Sequence, residues 1–304
     1  MIGDIHGRAF ELEALLSKLG YCRFGKGYHH DNRKVIFLGD FIDRGPHQAH
    51  VLQIVKEMVT SGAALAVMGN HEFNAIAYYT PDGNVGHLRT RNDKNTLQHR
   101  AFLDEFGDKP EEWKNIINWF KSLPLWLELD GLRVVHACWD PIAINRISEV
   151  YGDSALITDE LLHAASKRGS WQYHSLETLL KGKEVKLPEG KFFHDKDGNR
   201  RHQIRIRWWD KGKTYKEVFI GPKSAVENIP AIPLELEELG EYGQNEKPVF
   251  IGHYWMEGEP RLLAPNIACL DYSVAQPGGK LVAYRWCGEK TLSQDNYVWS
   301  ERID

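Results

Sequence analysis

Apolar positions in the first third of the chain switch between two periods. In FELEALLSKLG (10–20), Phe10, Leu12, Leu15, Leu16 and Leu19 fall near helical spacing and Gly20 ends the run. KVIFLGD (34–40) is short and nearly all apolar, the pattern of a strand buried on both faces. HVLQIVKEMVTSG (50–62) returns to the helical period and closes at Gly62, and ALAVMGN (64–70) is a second buried strand. Strands alternating with helices predict an α/β sheet.

Beyond a loop rich in Gly, Asn and basic residues (80–93), the pattern predicts helices through 96–122 and strands at 131–137 and 247–253. The stretches 267–273 and 279–286 read as paired strands near the end. The region 150–240 differs. Its middle, 181–216, holds twelve Lys+Arg against five Asp+Glu. HDKDGNRR (194–201) carries an Asp-Gly turn, and QIRIRWWDKGKTYKEVF alternates like a hairpin. Two readings stand: a solvated hairpin, or an insertion that overhangs the site and faces an anionic substrate. The chain is expected to be one domain, 1–304, with this insertion packed beside the site.

Composition narrows the class without naming a chemistry. The 304 residues are 42% hydrophobic and 26% charged with a formal net charge of -4, which gives no cause to expect a membrane surface or a stable nucleic-acid partner. The four cysteines are scattered with no CxxC pair, which fits a reducing cytoplasm. No apolar run approaches ~18–20 residues. The fourteen histidines matter only where they cluster.

They cluster at strand ends. GDIHG (3–7), GDFIDRG (39–45), GNHE (69–72), VVHA (134–137) and IGHYW (251–255) each place Asp, Asn or His where an apolar strand stops. That is where an open α/β sheet presents its ligand crevice. One such motif reads as a structural turn; five in order do not. The residue types suit two divalent ions. Asp4 and His6 offer neighbouring ligands, Asp40 has two oxygens with which to bridge, Asn70 has an amide oxygen, and His136 and His253 have imidazole nitrogens. Mixed nitrogen and oxygen donors without thiolate favour manganese, iron or zinc over calcium. Such a pair clamps a phosphoryl group and turns a bridging water into a hydroxide aimed at phosphorus.

This ordered set resembles the calcineurin-like metallophosphoesterases, specifically the phosphoprotein-phosphatase branch, over nearly all of the chain except much of 150–240. The resemblance implies a central β-sandwich of two mixed sheets flanked by helices, with the dinuclear site on loops at the strand ends. It implies Asp4, His6 and Asp40 on one metal, and Asp40, Asn70, His136 and His253 on the other. It implies Arg44 as phosphate clamp, His71 as general acid, and Asp43 as the carboxylate that orients His71. The plainer alternative for Asp43 and Arg44 is a local salt bridge. Glu72 is expected to cap or pair at the start of the next helix. The branch has His-Gly-Gly where this chain has His-Ala-Cys (136–138), which puts the backbone shape after His136 in question. Cys138 reads as a small buried hydrophobe.

Arg205 and Arg207, sharing a strand face by alternation, resemble an Arg-x-Arg strand of the sister bacterial diadenosine tetraphosphatases, as does the layout of 248–286. Surface edge charges are the equal alternative. The implied substrates are therefore phosphomonoesters, including phosphoserine and phosphothreonine in proteins, or else dinucleoside polyphosphates. Asp43 favours the first, since the tetraphosphatases commonly carry Ala there; the arginine strand favours the second. Weighing leaving-group protonation most, the sequence ranks the phosphomonoester first. A binding module that has lost catalysis is the third reading, and the full ligand set with Arg44 and His71 counts against it.

One puzzle remains in MIGDIHG. Only Met1 and Ile2 precede the first motif, where a buried strand runs ~5–6 residues. The expectation is that the natural chain starts upstream, with Met1 an internal strand residue or a misassigned start; the mass of the natively expressed protein checks it.

Overall fold

The computed structural model describes residues 1–153, 156–194, 200–210, 212–221, 223–234 and 242–303. The fold is mixed α/β. One sheet has four strands in the spatial order Ile267–Cys269, Val249–Ile251, Arg133–Val135, Trp126–Glu128; the first three run parallel and the last pairs antiparallel. The parallel pair Val35–Phe37 and Ala64–Ala66 and the antiparallel trio Asp271–Tyr272, Lys280–Tyr284, Tyr297–Glu301 form the other.

Ile2 joins these two pieces. It bridges Phe37 in parallel on one side and Ala283 antiparallel on the other. The Ile2 N–H donates to the Ile36 carbonyl at 2.9 Å, and the Ile2 carbonyl accepts from Leu38 at 3.0 Å. The first motif thus leaves a single fully buried bridge residue instead of a strand.

The predicted pairing of 267–273 with 279–286 is half of what forms. Asp271 and Tyr272 pair with Leu281 and Lys280, but Ile267–Cys269 pairs with Val249–Ile251. The chain changes sheet at Leu270. Alternation along the strands sorts their side chains into two buried clusters. One collects Ile36, Val282 and Tyr284 from one sheet with Val134, Phe250 and Ala268 from the other. The second collects Val35, Phe37, Val135 and Ile251 with the helices Ala9–Lys18 and Gln48–Thr60. The span 96–122 holds three helices, Asp93–Gln98, Arg100–Phe106 and Pro110–Lys121.

The basic region is built in two parts. Helices Asp159–Ala165 and Trp171–Lys181 bury Leu161, Leu162, Leu176 and Leu179 in the larger core, and Trp208 joins them. The rest has its own small cluster, including Val185, Ile204, Ile206, Val218 and Phe219. Gln203–Arg205 pairs with Glu184–Lys186, not with a hairpin partner of its own. Among the described residues, the segment folds back at the Ile206–Phe219 bridge, beside the one-turn helix Tyr215–Val218. Phe193–His194 and Arg200–Arg201 do pair; the Asp197-Gly198 turn lies outside the described residues.

Candidate active site

The five motif loops meet at the carboxyl ends of the strands, and their backbone is bent to do so. Among the described residues, six of the seven non-glycine positive φ values belong to His6, Asp40, Asp43, Arg44, His253 and Trp255. Such conformations cost roughly 1–3 kcal/mol each for bulky residues and gather at functional sites. Two glycines make room for carboxylates: a Cβ at Gly69 would stand 2.2 Å from Asp40 Oδ1, and one at Gly252 would stand 2.1 Å from Asp4 Oδ1.

Asp40 lies where two groups of donor atoms meet. With His6 and His71 it forms one group, and with His136 and His253 another, the donor atoms in each lying within 4.8 Å of one another. His6 Nε2 is 3.6 Å from Asp40 Oδ2, and His136 Nε2 is 3.4 Å from Asp40 Oδ1. Backbone carbonyls fix two rings from behind: His6 Nδ1 meets Ile42 O at 2.9 Å and His136 Nδ1 meets Leu38 O at 2.7 Å. Each ring is thereby held with Nε2 free to face the cluster. Asn70 Oδ1 lies 3.1 Å from His136 Nε2 and 2.7 Å from His253 Nδ1. Asp4 is brought to the same place but falls in neither group; its carboxylate accepts the His253 N–H at 3.1 Å.

These residues fit a cation. His6 Nε2 and His253 Nε2 are buried without a hydrogen-bond partner, a costly state unless something accepts their lone pairs. Burial, then the charge of Asp271, pushes the Asp4 carboxyl well above its usual range. Burial would lower His136, but the charges of Asp40 and Asp4 raise it to about 10. A bound cation would offset the same buried negative charges.

His71 occupies the second position of the helix Asn70–Tyr79, so its N–H has no partner within the helix. It donates to Asp40 Oδ1 at 2.9 Å. The ring's Nδ1 meets Asp43 Oδ2 at 2.5 Å, and Nε2 stands 3.5 Å from Arg44 Nη2. Burial alone would depress His71, but the charge of Asp40 and the hydrogen bond and charge of Asp43 raise it above the ordinary imidazole value. Burial would raise Asp43, yet its bonds to His71 and His99 hold it well below the usual carboxylate range.

Glu72 does more than the expected cap. Its Oε2 accepts from Gly69 N at 2.9 Å and Asp40 N at 2.8 Å, while Oε1 accepts from Phe41 N at 2.9 Å. One fully buried carboxylate thus ties the GNHE turn to the GDFIDRG turn. Glu72→Gln turns one acceptor oxygen into a donor facing N–H groups. The expected result is a loss of about 1–3 kcal/mol of stability, measured by urea unfolding; an unchanged midpoint would refute this tie.

Four further residues of the site were not singled out from the sequence. His99 Nδ1 lies 2.8 Å from the second oxygen of Asp43, its ring stacked on Phe102 at 4.6 Å. Gln48 Oε1 accepts the Asp43 N–H at 2.7 Å. Asp271 accepts from Trp255 N at 2.8 Å and Ser273 N at 2.9 Å. The Trp255 ring lies 3.9 Å beneath the Arg44 guanidinium. Trp255 ends the IGHYW motif and Asp271 lies in the predicted strand 267–273, so both could have been flagged; His99 and Gln48 offer only helical spacing.

The two basic-strand arginines part company. Arg205 ends its strand and lines a cleft of about 380 Å3 with Asn70, His71, Arg89 and Lys181. Its charge helps hold His253 below the usual imidazole range, after burial. Arg207, past the strand end, pairs with Asp210 at 3.3 Å and donates to the Glu217 carbonyl; it does not line that cleft. Trp208 pins the segment to the site floor through its N–H, 3.2 Å from Ala137 O and 3.1 Å from the Tyr254 hydroxyl. Cys138 is buried, which drives its thiol well above its ordinary pKa and leaves no thiolate to attack.

A cluster of buried carboxylates and imidazoles at the strand ends of a mixed α/β fold, with arginines at its mouth, defines a metal-binding phosphoesterase class. Over residues 1–226 the chain matches the calcineurin-like phosphoesterases, and it belongs to that family of hydrolases acting on phosphoester bonds. The family implies divalent metal ions. The chain is 33% identical over 138 residues to the bis(5'-nucleosyl)-tetraphosphatase PrpE (asymmetrical) of Oceanobacillus iheyensis, covering 45% of this chain and 54% of that one. It is 46% identical over 72 residues to the protein of the same name from Halalkalibacterium halodurans, covering 23% and 29%. The alignments thus span about half the length of the first of these relatives and less of the second. Among solved structures, a protein serine/threonine phosphatase from Saccharomyces cerevisiae shares the fold at TM-score 0.50 and 16% identity, covering 100% of this chain and 79% of that one. No helix among the described residues is long and apolar enough to cross a membrane.

Proposed function

We propose that the chain hydrolyses dinucleoside polyphosphates with the help of two divalent ions. One observation carries this: Arg44, Arg89, Lys181, Arg201 and Arg205 all line the cleft that holds Asn70 and His71. A phosphomonoester brings about two negative charges; five cations beside a metal site suit a longer phosphate chain. The names of the tetraphosphatase relatives support the same order, which reverses the ranking drawn from Asp43. Phosphoserine or phosphothreonine in proteins is the second reading, favoured by the Asp43–His71 pair.

Asp4, His6 and Asp40 would hold one ion, and Asp40, Asn70, His136 and His253 the other, with manganese ahead of iron or zinc for so mixed a donor set. When bound, the ions would supply Lewis acidity to the phosphoryl oxygens and lower the pKa of the attacking water. Arg44, flattened on Trp255, faces a phosphate oxygen with its fork. As the water oxygen joins phosphorus and releases a proton to solvent, the bridging P–O bond breaks and His71 Nε2 gives its proton to the departing oxygen. Asp43 holds Nδ1–H throughout and fixes the tautomer. The same proposal takes the two sheets as the facing layers of a sandwich with the site at one edge, supported by the cluster shared between them, and the 150–240 region as part of a single domain.

Diadenosine tetraphosphate, a phosphoserine peptide and p-nitrophenyl phosphate, compared at equal concentration with manganese, test the ranking. The expected result is the highest kcat/KM for the dinucleotide; a higher value for the peptide overturns it. Arg205→Ala is expected to lower kcat/KM by about 10²-fold, as loss of a charge-stabilising donor does. Arg207→Ala is expected to stay within about twofold.

A further inference from the structure

Next to the catalytic cleft lies a larger groove of about 720 Å3, nearly twice the cleft's volume of about 380 Å3. Arg201 and Arg205 line both spaces, so the two share a wall. The groove has an apolar floor and a cationic rim. Leu187, Phe193 and Phe219, each about 7% exposed, supply the floor. Lys186, Arg200, Arg201 and Arg205 supply the rim, and Glu184 is the single carboxylate among the described lining residues. Glu184 already lies 3.5 Å from Arg205 Nη2, so its charge is partly answered. Arg205 also keeps Nε buried without a hydrogen-bond partner.

This groove is built, not merely left over. Its walls are the paired strands Glu184–Lys186 and Gln203–Arg205, held by the small cluster that includes Val185, Ile204 and Ile206. Arg200 is set over the Phe192 ring at 3.6 Å, which limits where its guanidinium can point. Lys186 and Arg200 are themselves exposed. A solvated charge patch would need neither an apolar floor nor continuity with a catalytic cleft.

We propose that this groove seats the nucleoside triphosphate arm of the substrate, the half that leaves when the outer phosphate is attacked. The inference rests on the nucleotide reading of the site and adds to it where the second nucleoside goes. Phosphates bridge from the cleft past Arg205 and Arg201, the remaining phosphate meets Lys186 and Arg200, and the base lies on the floor. A flat apolar ring joined to a chain of negative charge has the same two-part character as the groove. An acidic peptide matches the rim but leaves the floor unused.

Calorimetric titration of ATP, with manganese held equal, into manganese-loaded wild type, Lys186→Ala, Arg200→Ala and Lys186→Glu tests the seat directly. Each alanine variant is expected to weaken binding by about five- to tenfold, and the charge reversal by more. Equal affinity in wild type and variants overturns the inference, as does absent ATP binding, or a phosphoserine peptide that shows the charge dependence while ATP does not. Turnover of diadenosine tetraphosphate by wild type is read separately. If ATP binding follows the rim but the dinucleotide is not cleaved, the groove stands and the proposed activity falls. If the dinucleotide is cleaved and ATP ignores the rim, the activity stands and the groove falls.

Discussion

Asp40→Asn is expected to lower kcat/KM by about 10⁴-fold, ~5.5 kcal/mol of transition-state stabilisation, and to reduce bound metal. Asp40 is the one carboxylate common to both groups of donor atoms, so its loss weakens two candidate ion sites at once. The substitution is chosen to leave the backbone alone. Asp40 has φ 52, and Asn tolerates that region better than Ala. Its amide oxygen still accepts the His71 N–H that Asp40 Oδ1 accepts at 2.9 Å. The Asp40 N–H still donates to Glu72. Circular dichroism should therefore match wild type while metal analysis and kinetics change. Wild-type metal content and turnover together would remove Asp40 from the chemistry, and a wild type inert with manganese would favour the binding-module reading.

What the sequence revealed and what it hid have a common physical origin. The motif residues were legible because a glycine, a short polar ligand and an apolar strand must be contiguous for a carboxylate or imidazole to emerge at a strand end. GDFIDRG and GNHE show this: Gly69 lies against Asp40 Oδ1, and Glu72 binds the Asp40 and Phe41 amides. The residues that hold those side chains in place have no such local grammar. His99 reaches Asp43 from 56 positions along the chain, where its neighbours show only helical spacing. Trp255 reads as one more aromatic until its ring is found under Arg44. Strand alternation placed Arg205 and Arg207 on one face. It could not reveal that the strand stops at Arg205, which frees Arg207 to turn toward Asp210. The strand before GDIHG, expected from the length of its neighbours, is reduced to the double bridge of Ile2.

Asp43→Asn should separate the two substrate classes, because it disables proton delivery while leaving in place the residues proposed to hold the ions. Asp43 accepts from two rings, His71 on one oxygen and His99 on the other. Asn offers one acceptor and one donor, so one ring must change tautomer. Asn is also compatible with φ 68 at this position. A general acid contributes roughly 10²–10⁴-fold, and the contribution falls as the leaving group becomes a weaker base. A phosphoserine alkoxide should therefore lose about 10³-fold in kcat and a nucleoside triphosphate leaving group about tenfold. The pH profile follows the direction of the shifts. His71, raised by Asp40 and Asp43 against burial, keeps its proton to higher pH than a free imidazole, so kcat falls as pH rises through its folded value. Removing the Asp43 charge moves that alkaline limb to lower pH. Stability has the same signature. The Asp43 contribution is present above its unfolded value of ~3.9 and is lost as pH falls toward the depressed folded one. The His71 contribution is complete below ~6.5 and is lost as pH rises through the raised folded value. The variant's stability deficit should thus be greatest between about pH 4 and 6.5. Equal loss on both substrates with an unmoved alkaline limb would show that Asp43 holds the loop together and does not serve the acid.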